Sequence, residues 1–295
     1  MNEAIQKLYA EWAAYDKIRD AGVTIPEGLV RHLDIPYGPD PAHRLDVYYP
    51  EGTAAPLPTI VSVHGGGWFY GSKELYANYC TRMASRGFTV VNFNYRLAPQ
   101  HKYPAPVEDT CNVLHWIQAN AAAYLIDIDN VFMVGDSAGG QIALQVLTML
   151  TNPAYAALFP FSPPAEFQVR ACGLNCGCYF IPLNRFLTPK RMGAIFEAYF
   201  PADFLPLLPS LQAHKYLTAD FPPAFVMTAQ NDYLRLMAKP LYHCLQKVRA
   251  SARLKIYGTR KEKNIGHVFH LNCKLPLAHR CNDDQAAFFR AHMKL

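Results

Sequence analysis

The sequence lacks any apolar run approaching the 18 residues that a membrane-spanning helix requires, so no membrane role is expected. It has no internal repeat and no low-complexity tract, which excludes solenoids, collagen-like rods and disordered tails. Its opening residues, Met1 to Ala10, contain no apolar h-region; no secretory signal and a cytoplasmic setting are therefore expected. Charge is sparse, at 17% of residues and a net +5. The densest basic stretch (Arg253, Lys255, Arg260, Lys261, Lys263) reads as a solvated strand end and loop. A nucleic-acid binder would need a longer basic stripe and a reading motif, and neither is present. Of the eight cysteines, Cys172, Cys176 and Cys178 lie closest together, but no second pair or correctly spaced histidines follow. No metal site is expected, and the thiols should be reduced and mostly buried.

What is present is enough apolar residue, 51% of 295, to fill one large α/β domain spanning 1–295. Apolar positions at helical spacing (Ile5, Leu8, Tyr9, Trp12, Tyr15, Ile18) predict an amphipathic helix over 2–20. Two strands, near 30–37 and 43–50, flank proline- and glycine-rich turn chemistry and suggest an antiparallel start to a sheet. Strands at 58–63, 88–95 and 131–136 then alternate with helices at 73–86, 105–123 and 138–150. Further strands fall near 169–174, 224–229 and 252–257, and a last helix covers about 283–293. Such alternation predicts a mostly parallel, doubly wound sheet flanked by helices. Residues 151–225 hold 11 of the 23 prolines and 10 of the 17 phenylalanines. Within them, 175–222 reads as a cap-like insertion after the sixth strand, with one good helix at about 189–200. An insertion at the carboxyl edge of a sheet would roof whatever site lies there.

Two glycine-framed segments carry the chemistry. His64-Gly65-Gly66-Gly67-Trp68 follows the apolar run Thr59–Val63, and Gly135-Asp136-Ser137-Ala138-Gly139-Gly140 follows Val131–Val134. A strand that feeds Gly-x-Ser-x-Gly and then a helix lifts the serine hydroxyl above a sheet. A strand that feeds His-Gly-Gly-Gly supplies backbone N–H donors to an oxyanion. Ser137 is thus the candidate nucleophile, with the N–H groups of Gly66, Gly67 and Ala138 as the oxyanion hole. A serine hydroxyl also needs a base and a group that orients the base. Asp232 follows the strand Phe225–Ala229, and His267 lies in the loop after Leu254–Tyr257, which completes the order Ser, Asp, His. Alternatives stand beside each. Asp232 could be a surface turn residue, and His267 competes with His270, which reads as a helix-edge or core histidine. His64 is expected to shape the oxyanion loop and Asp136 to support the serine turn. Glu108 and Asp109 open a helix, where carboxylates suit the dipole. Trp68, Phe69 and Tyr70 are candidates for the substrate pocket.

These segments, together with Asn94-Tyr95-Arg96-Leu97-Ala98-Pro99, Tyr103-Pro104-Ala105 and Asp109, resemble the hormone-sensitive-lipase group of α/β hydrolases from about Arg44 to the C-terminus. The resemblance implies the α/β-hydrolase fold and a carboxylesterase for short or medium acyl chains, working without a cofactor through Ser137, His267 and Asp232. In that group a cap usually precedes the sheet. Here the N-terminal segment is short, so the roof is expected mostly from the insertion after Leu174. The first strands and Trp68 also resemble the bacterial branch with feruloyl and acetylxylan esterases, and the kynurenine formamidases. A small-molecule ester is the expected partner, with a homodimer as the candidate assembly. An arylformamidase-type amidase and a carbohydrate or feruloyl ester deacylase are the competing activities, and a catalytically inactive binding protein is the reading from outside enzymology.

Overall fold

Asn2 starts the first helix, because its side-chain oxygen accepts the Ile5 N–H at 3.0 Å and satisfies one of the unpaired donors of the first turn. From there the computed structural model describes residues 2–181 and 190–294. In chain order the elements are α1 (Glu3–Asp20), β1 (Leu29–Pro36), β2 (Arg44–Pro50), β3 (Leu57–Val63), α2 (Lys73–Ala84), β4 (Thr89–Phe93) and α3 (Ala105–Asn120). There follow β5 (Ile126–Asp136), α4 (Ala138–Thr151), the single turn α5 (Pro153–Ala156) and β6 (Ala171–Asn175). The chain ends with α6 (Lys190–Tyr199), the short α7 (Leu208–Leu211), β7 (Ala224–Ala229), α8 (Arg235–Lys247), β8 (Ala252–Tyr257) and α9 (Pro276–Arg290).

The strands form one sheet in the order β1-β2-β4-β3-β5-β6-β7-β8. β2 runs antiparallel to both β1 and β4, and every other pairing is parallel. The central strands are buried on both faces, as parallel strands sandwiched by helices must be. One core layer joins the sheet to α3, α4 and α8 and the other joins it to α2 and α9. After β3 the chain steps to β4 on one side and then returns to β5 on the other. That reversal opens a crevice at the carboxyl ends of β3 and β5, where α/β sheets bind ligands.

Several boundaries differ from the sequence-based expectation for physical reasons. β5 begins at Ile126, five residues early, because Asp127, Asp129 and Asn130 mimic a turn. They are accommodated by a register shift between Pro58 and Thr59 of β3. α9 begins at Pro276, seven residues early, with proline in the first turn, where its missing N–H costs nothing. α8 is masked in the sequence by Pro240 inside it; burial of Ala238, Leu241 and Leu245 on one face offsets the lost hydrogen bond. α1 buries Ile5 and Leu8 but leaves Tyr9, Tyr15 and Ile18 exposed, so its apolar stripe is narrower than its spacing suggests. Position 189, the expected start of the insertion helix, lies outside the described residues, and α6 is described from Lys190.

The segment between β6 and β7 rests on the loops above β3 and β4. Tyr199 O accepts the Tyr103 N–H at 2.9 Å, and Lys102 Nζ donates to the carbonyls of Glu197 and Phe200. The Tyr199 ring stacks on Trp68 with centroids 4.7 Å apart. No helix of the described residues is long and apolar enough to cross a membrane.

Candidate active site

β3 ends at Val63 and delivers the glycine loop. Gly66 adopts φ +122°, and a Cβ there would lie 1.9 Å from Tyr70 O, so only glycine fits. Around this loop, Tyr76 Oη accepts the Gly65 N–H at 2.8 Å and Tyr95 Oη donates to His64 O at 2.9 Å. His64 Nδ1–H donates to Gly65 O at 2.7 Å, and its ring stacks on Tyr95 at 4.0 Å. Complete burial pushes His64 down to about 4, so the imidazole stays neutral and braces the loop. That matches the shaping role expected of it.

β5 ends at Asp136 and turns sharply into α4 through Ser137, whose φ is +53° and ψ is −113°. A non-glycine residue at positive φ is strained by about 1–3 kcal/mol, and the surroundings hold it there. Ser137 N–H donates to Asn175 O and Ser137 O accepts from the Cys178 N–H. The turn also needs Gly139, where a Cβ would meet Val63 O at 2.2 Å. Asp136 points behind the turn to His270, with Oδ1 to Nε2 at 3.1 Å. His270 is therefore a core histidine that pairs with the residue before the serine, and it does not compete with His267.

The loops after β7 and β8 complete a hydrogen-bonded chain. His267 Nε2 lies 2.9 Å from Ser137 Oγ, and His267 Nδ1 lies 2.7 Å from Asp232 Oδ1. Asp232 Oδ1 also accepts from the Leu234 N–H at 2.8 Å, and Oδ2 from the Thr228 hydroxyl at 2.7 Å. Burial alone would raise the Asp232 carboxyl, yet His267 and these two donors hold it below its ordinary value. Asp232 is thus a carboxylate fixed by three donors, not a surface turn residue. It keeps the His267 Nδ1 proton on its own side and leaves Nε2 free to accept from Ser137.

Gly66 and Gly67 stand in the wall of a cavity beside Ser137, and Gly67 and Ala138 in that of a second one. Among the described residues, no backbone carbonyl takes the N–H of Gly66, Gly67 or Ala138. The larger cavity, about 320 Å³, holds Ser137 and His267 in its wall together with Trp12, Tyr15, Tyr70, Leu75, Tyr233 and Leu271. The smaller, about 20 Å³, is bounded by Trp68, Ala138, Cys178, Met192, Ile195 and Leu234.

The three pocket candidates therefore separate. Tyr70 lines the large cavity and anchors α1 by donating to Asp16 Oδ2 at 2.7 Å. Trp68 lines the small one, and its indole N–H donates to Gln141 Oε1 at 3.0 Å. Phe69 lines neither and packs on Trp12, with centroids 4.9 Å apart.

Among the described residues, α1 walls the large cavity with Trp12, Tyr15, Asp16 and Arg19, and the 175–222 segment reaches Ser137 at the small cavity through Cys178, Met192 and Ile195. Tyr233, whose ring lies 4.2 Å from that of His267, escapes sequence reasoning because nothing in its spacing marks it. Tyr76 escapes it too, because its site role depends on how α2 docks under the glycine loop. Asp109 is more than the dipole residue its position suggests. It is fully buried and accepts from Arg96 N–H at 2.7 Å, from Arg96 Nε and from His43 Nε2. This ion pair ties the Arg96 loop to α3.

Each cysteine is a free thiol. One group of candidate metal ligands occurs among the described residues, with ligand atoms of Cys176, Asp232 and His267 within 4.8 Å of one another. Its carboxylate and imidazole are already bonded to each other. Burial and the nearby Asp232 push the Cys176 thiol well up, so it stays protonated rather than becoming a thiolate ligand.

A family model described as the alpha/beta hydrolase fold matches residues 60–271, which include every member of the Ser137 constellation. The chain belongs to this family. This α/β hydrolase is 30% identical to carboxylesterase NlhH of Mycobacterium tuberculosis over 200 residues, 64% of this chain and 60% of that protein. It is 36% identical over 116 residues to the versiconal hemiacetal acetate esterase of Dothistroma septosporum, 39% of this chain and 35% of that one. It thus spans less than two thirds of the length of either curated relative. A crystal structure of esterase B from Lactobacillus rhamnosis with a C4-C4 SN3 tributyrin phosphonate superposes with a TM-score of 0.88 and 27% identity, covering 99% of this α/β hydrolase and 96% of that chain.

Proposed function

We propose that the protein is a serine carboxylesterase that hydrolyses short-chain acyl or small aryl esters through an acyl-enzyme. The observation that carries this reading is the unbroken chain Ser137–His267–Asp232, at 2.9 and 2.7 Å, beside the glycine loop. The activity in the names of NlhH and esterase B supports it.

In the proposed reaction Ser137 Oγ attacks the ester carbon while His267 Nε2 takes its proton. The carbonyl oxygen becomes an oxyanion facing the N–H groups of Gly66, Gly67 and Ala138, each worth about 3 kcal/mol of transition-state stabilisation. Asp232 orients His267 and stabilises the imidazolium. The C–O bond to the alcohol then breaks, and His267 returns the proton to the departing oxygen. Water attacks the acyl-enzyme by the same route, with its proton passing through His267 back to Ser137 Oγ. The segment 175–222 serves as a cap-like insertion within one domain, a role supported by the docking of Tyr199 on Trp68.

Release of 4-nitrophenol from 4-nitrophenyl acetate by the wild type and by Ser137→Ala tests the proposal. The expected loss in Ser137→Ala, with an unchanged melting temperature, exceeds about 10⁴-fold. Retained turnover would refute the assignment.

A further inference from the structure

The two cavities that meet at Ser137 differ in volume by more than tenfold, and the chemistry of the site decides which half of an ester enters each. The departing alcohol oxygen must come within hydrogen-bond reach of His267 Nε2, because that nitrogen returns its proton. His267 stands in the wall of the 320 Å³ cavity and not in that of the 20 Å³ one. The oxyanion occupies the glycine-loop side. The acyl chain is the remaining substituent, and it is left with the small cavity.

A volume of 20 Å³ holds little more than one water-sized group, which takes about 10–15 Å³ on the same measure. That is the space of a methyl group. Part of its wall is firmly held: Trp68 is clamped between Gln141 and Tyr199, and Cys178 and Ile195 are almost fully buried. The other cavity reaches the size of a drug-like ligand site and is faced largely by Trp12, Tyr15, Leu75, Val268 and Leu271.

We propose that the substrates are acetate esters of bulky, largely apolar alcohols or phenols, with the acetyl methyl in the small cavity and the alcohol beneath α1. This rests on the serine esterase reading and narrows its substrate. Ile195 sets the acyl limit as a specificity residue: it bounds the small cavity and takes no part in proton transfer. The products are the free alcohol and, after water attacks the acetyl-enzyme, acetic acid.

The test measures kcat/KM of the full chain in two arms. The acyl arm compares 2-naphthyl acetate, propionate, butyrate and hexanoate. The alcohol arm compares the acetates of phenol, 2-naphthol and 4-phenylphenol, whose similar acidities leave pocket fit as the main variable. Each excess methylene is worth about 10–200-fold in a closed pocket. Acetate should therefore exceed butyrate by at least about tenfold, and the naphthyl or biphenyl acetate should exceed phenyl acetate by a similar factor. Ile195→Ala should raise the butyrate-to-acetate ratio about tenfold and leave the aryl ratio in place. Ser137-dependent hydrolysis that favours butyrate or hexanoate, or that gains nothing from the larger phenols, overturns the proposal and leaves the esterase intact. No hydrolysis of any ester, or hydrolysis that survives Ser137→Ala, overturns the underlying reading as well. The wild-type profile decides the matter even if Ile195→Ala fails to fold.

Discussion

Replacing Asp232 by asparagine separates what its charge does from what its geometry does. The structure gives the substituted amide one good arrangement. Its carbonyl oxygen, at the Oδ1 position, accepts from Leu234 N–H and His267 Nδ1–H, and its NH₂, at the Oδ2 position, donates to the Thr228 hydroxyl, which can rotate to accept. The His267 tautomer is then preserved, and only the carboxylate charge is lost. Unit charges about 4 Å apart at an effective dielectric near 20 attract by about 4 kcal/mol, which caps the stabilisation of the imidazolium. At about 1.4 kcal/mol per decade, kcat/KM should fall by about 10²–10³-fold. Asp232→Ala loses the charge and also leaves His267 unanchored and two buried donors unmatched, so its loss should exceed about 10⁴-fold. Initial rates on 4-nitrophenyl acetate, with melting temperatures as the folding control, measure both. An asparagine variant within tenfold of the wild type would refute the role of the charge. An asparagine variant no better than the alanine one would refute the preserved tautomer.

Other expected outcomes follow from single contacts. Gly66→Ala drives a Cβ into Tyr70 O and should cost at least about 10²-fold in kcat/KM, the scale of one lost oxyanion donor; steady-state kinetics checks it. Asp109→Ala removes the buried acceptor of the Arg96 N–H, the guanidinium and His43, while Glu108 keeps the guanidinium partly paired at 2.6 Å, and urea unfolding should show a loss of about 1–3 kcal/mol. His64, at about 4 when folded against an ordinary 6.5, takes up a proton first in the unfolded chain. Its contribution to stability is complete above pH 6.5 and is lost as pH falls towards 4, by on the order of 3 kcal/mol. Calorimetry should show that slope in the wild type and a slope smaller by about one proton in His64→Asn.

How much of this can be read from the sequence depends on whether a feature is local. Ser137, Gly66 and Gly67 can be placed because an apolar β-rich run, a glycine turn and a helix lie in one short window each. Asp232 and His267 can be placed because each follows its own strand. What stays hidden depends on docking across the chain. α1 looks like a simple amphipathic helix, yet Trp12 and Tyr15 wall the large cavity only because α1 packs over the glycine loop, with Tyr70 holding Asp16. Asp109 looks like a helix-opening charge, because nothing nearby reveals that Arg96 and His43 converge on it. Pro240 argues against α8, and only the burial of Leu241 and Leu245 overrides it. The contrast between a 320 Å³ and a 20 Å³ cavity is a product of packing, and no motif encodes it.

The central claim is that Ser137 is a nucleophile activated by His267. Labelling with a fluorophosphonate followed by peptide mass mapping tests it directly. One adduct per chain on the peptide containing Ser137, absent in Ser137→Ala and strongly slowed in His267→Ala, is the predicted result. A folded wild type that takes no label, or takes it on another residue, would contradict the account.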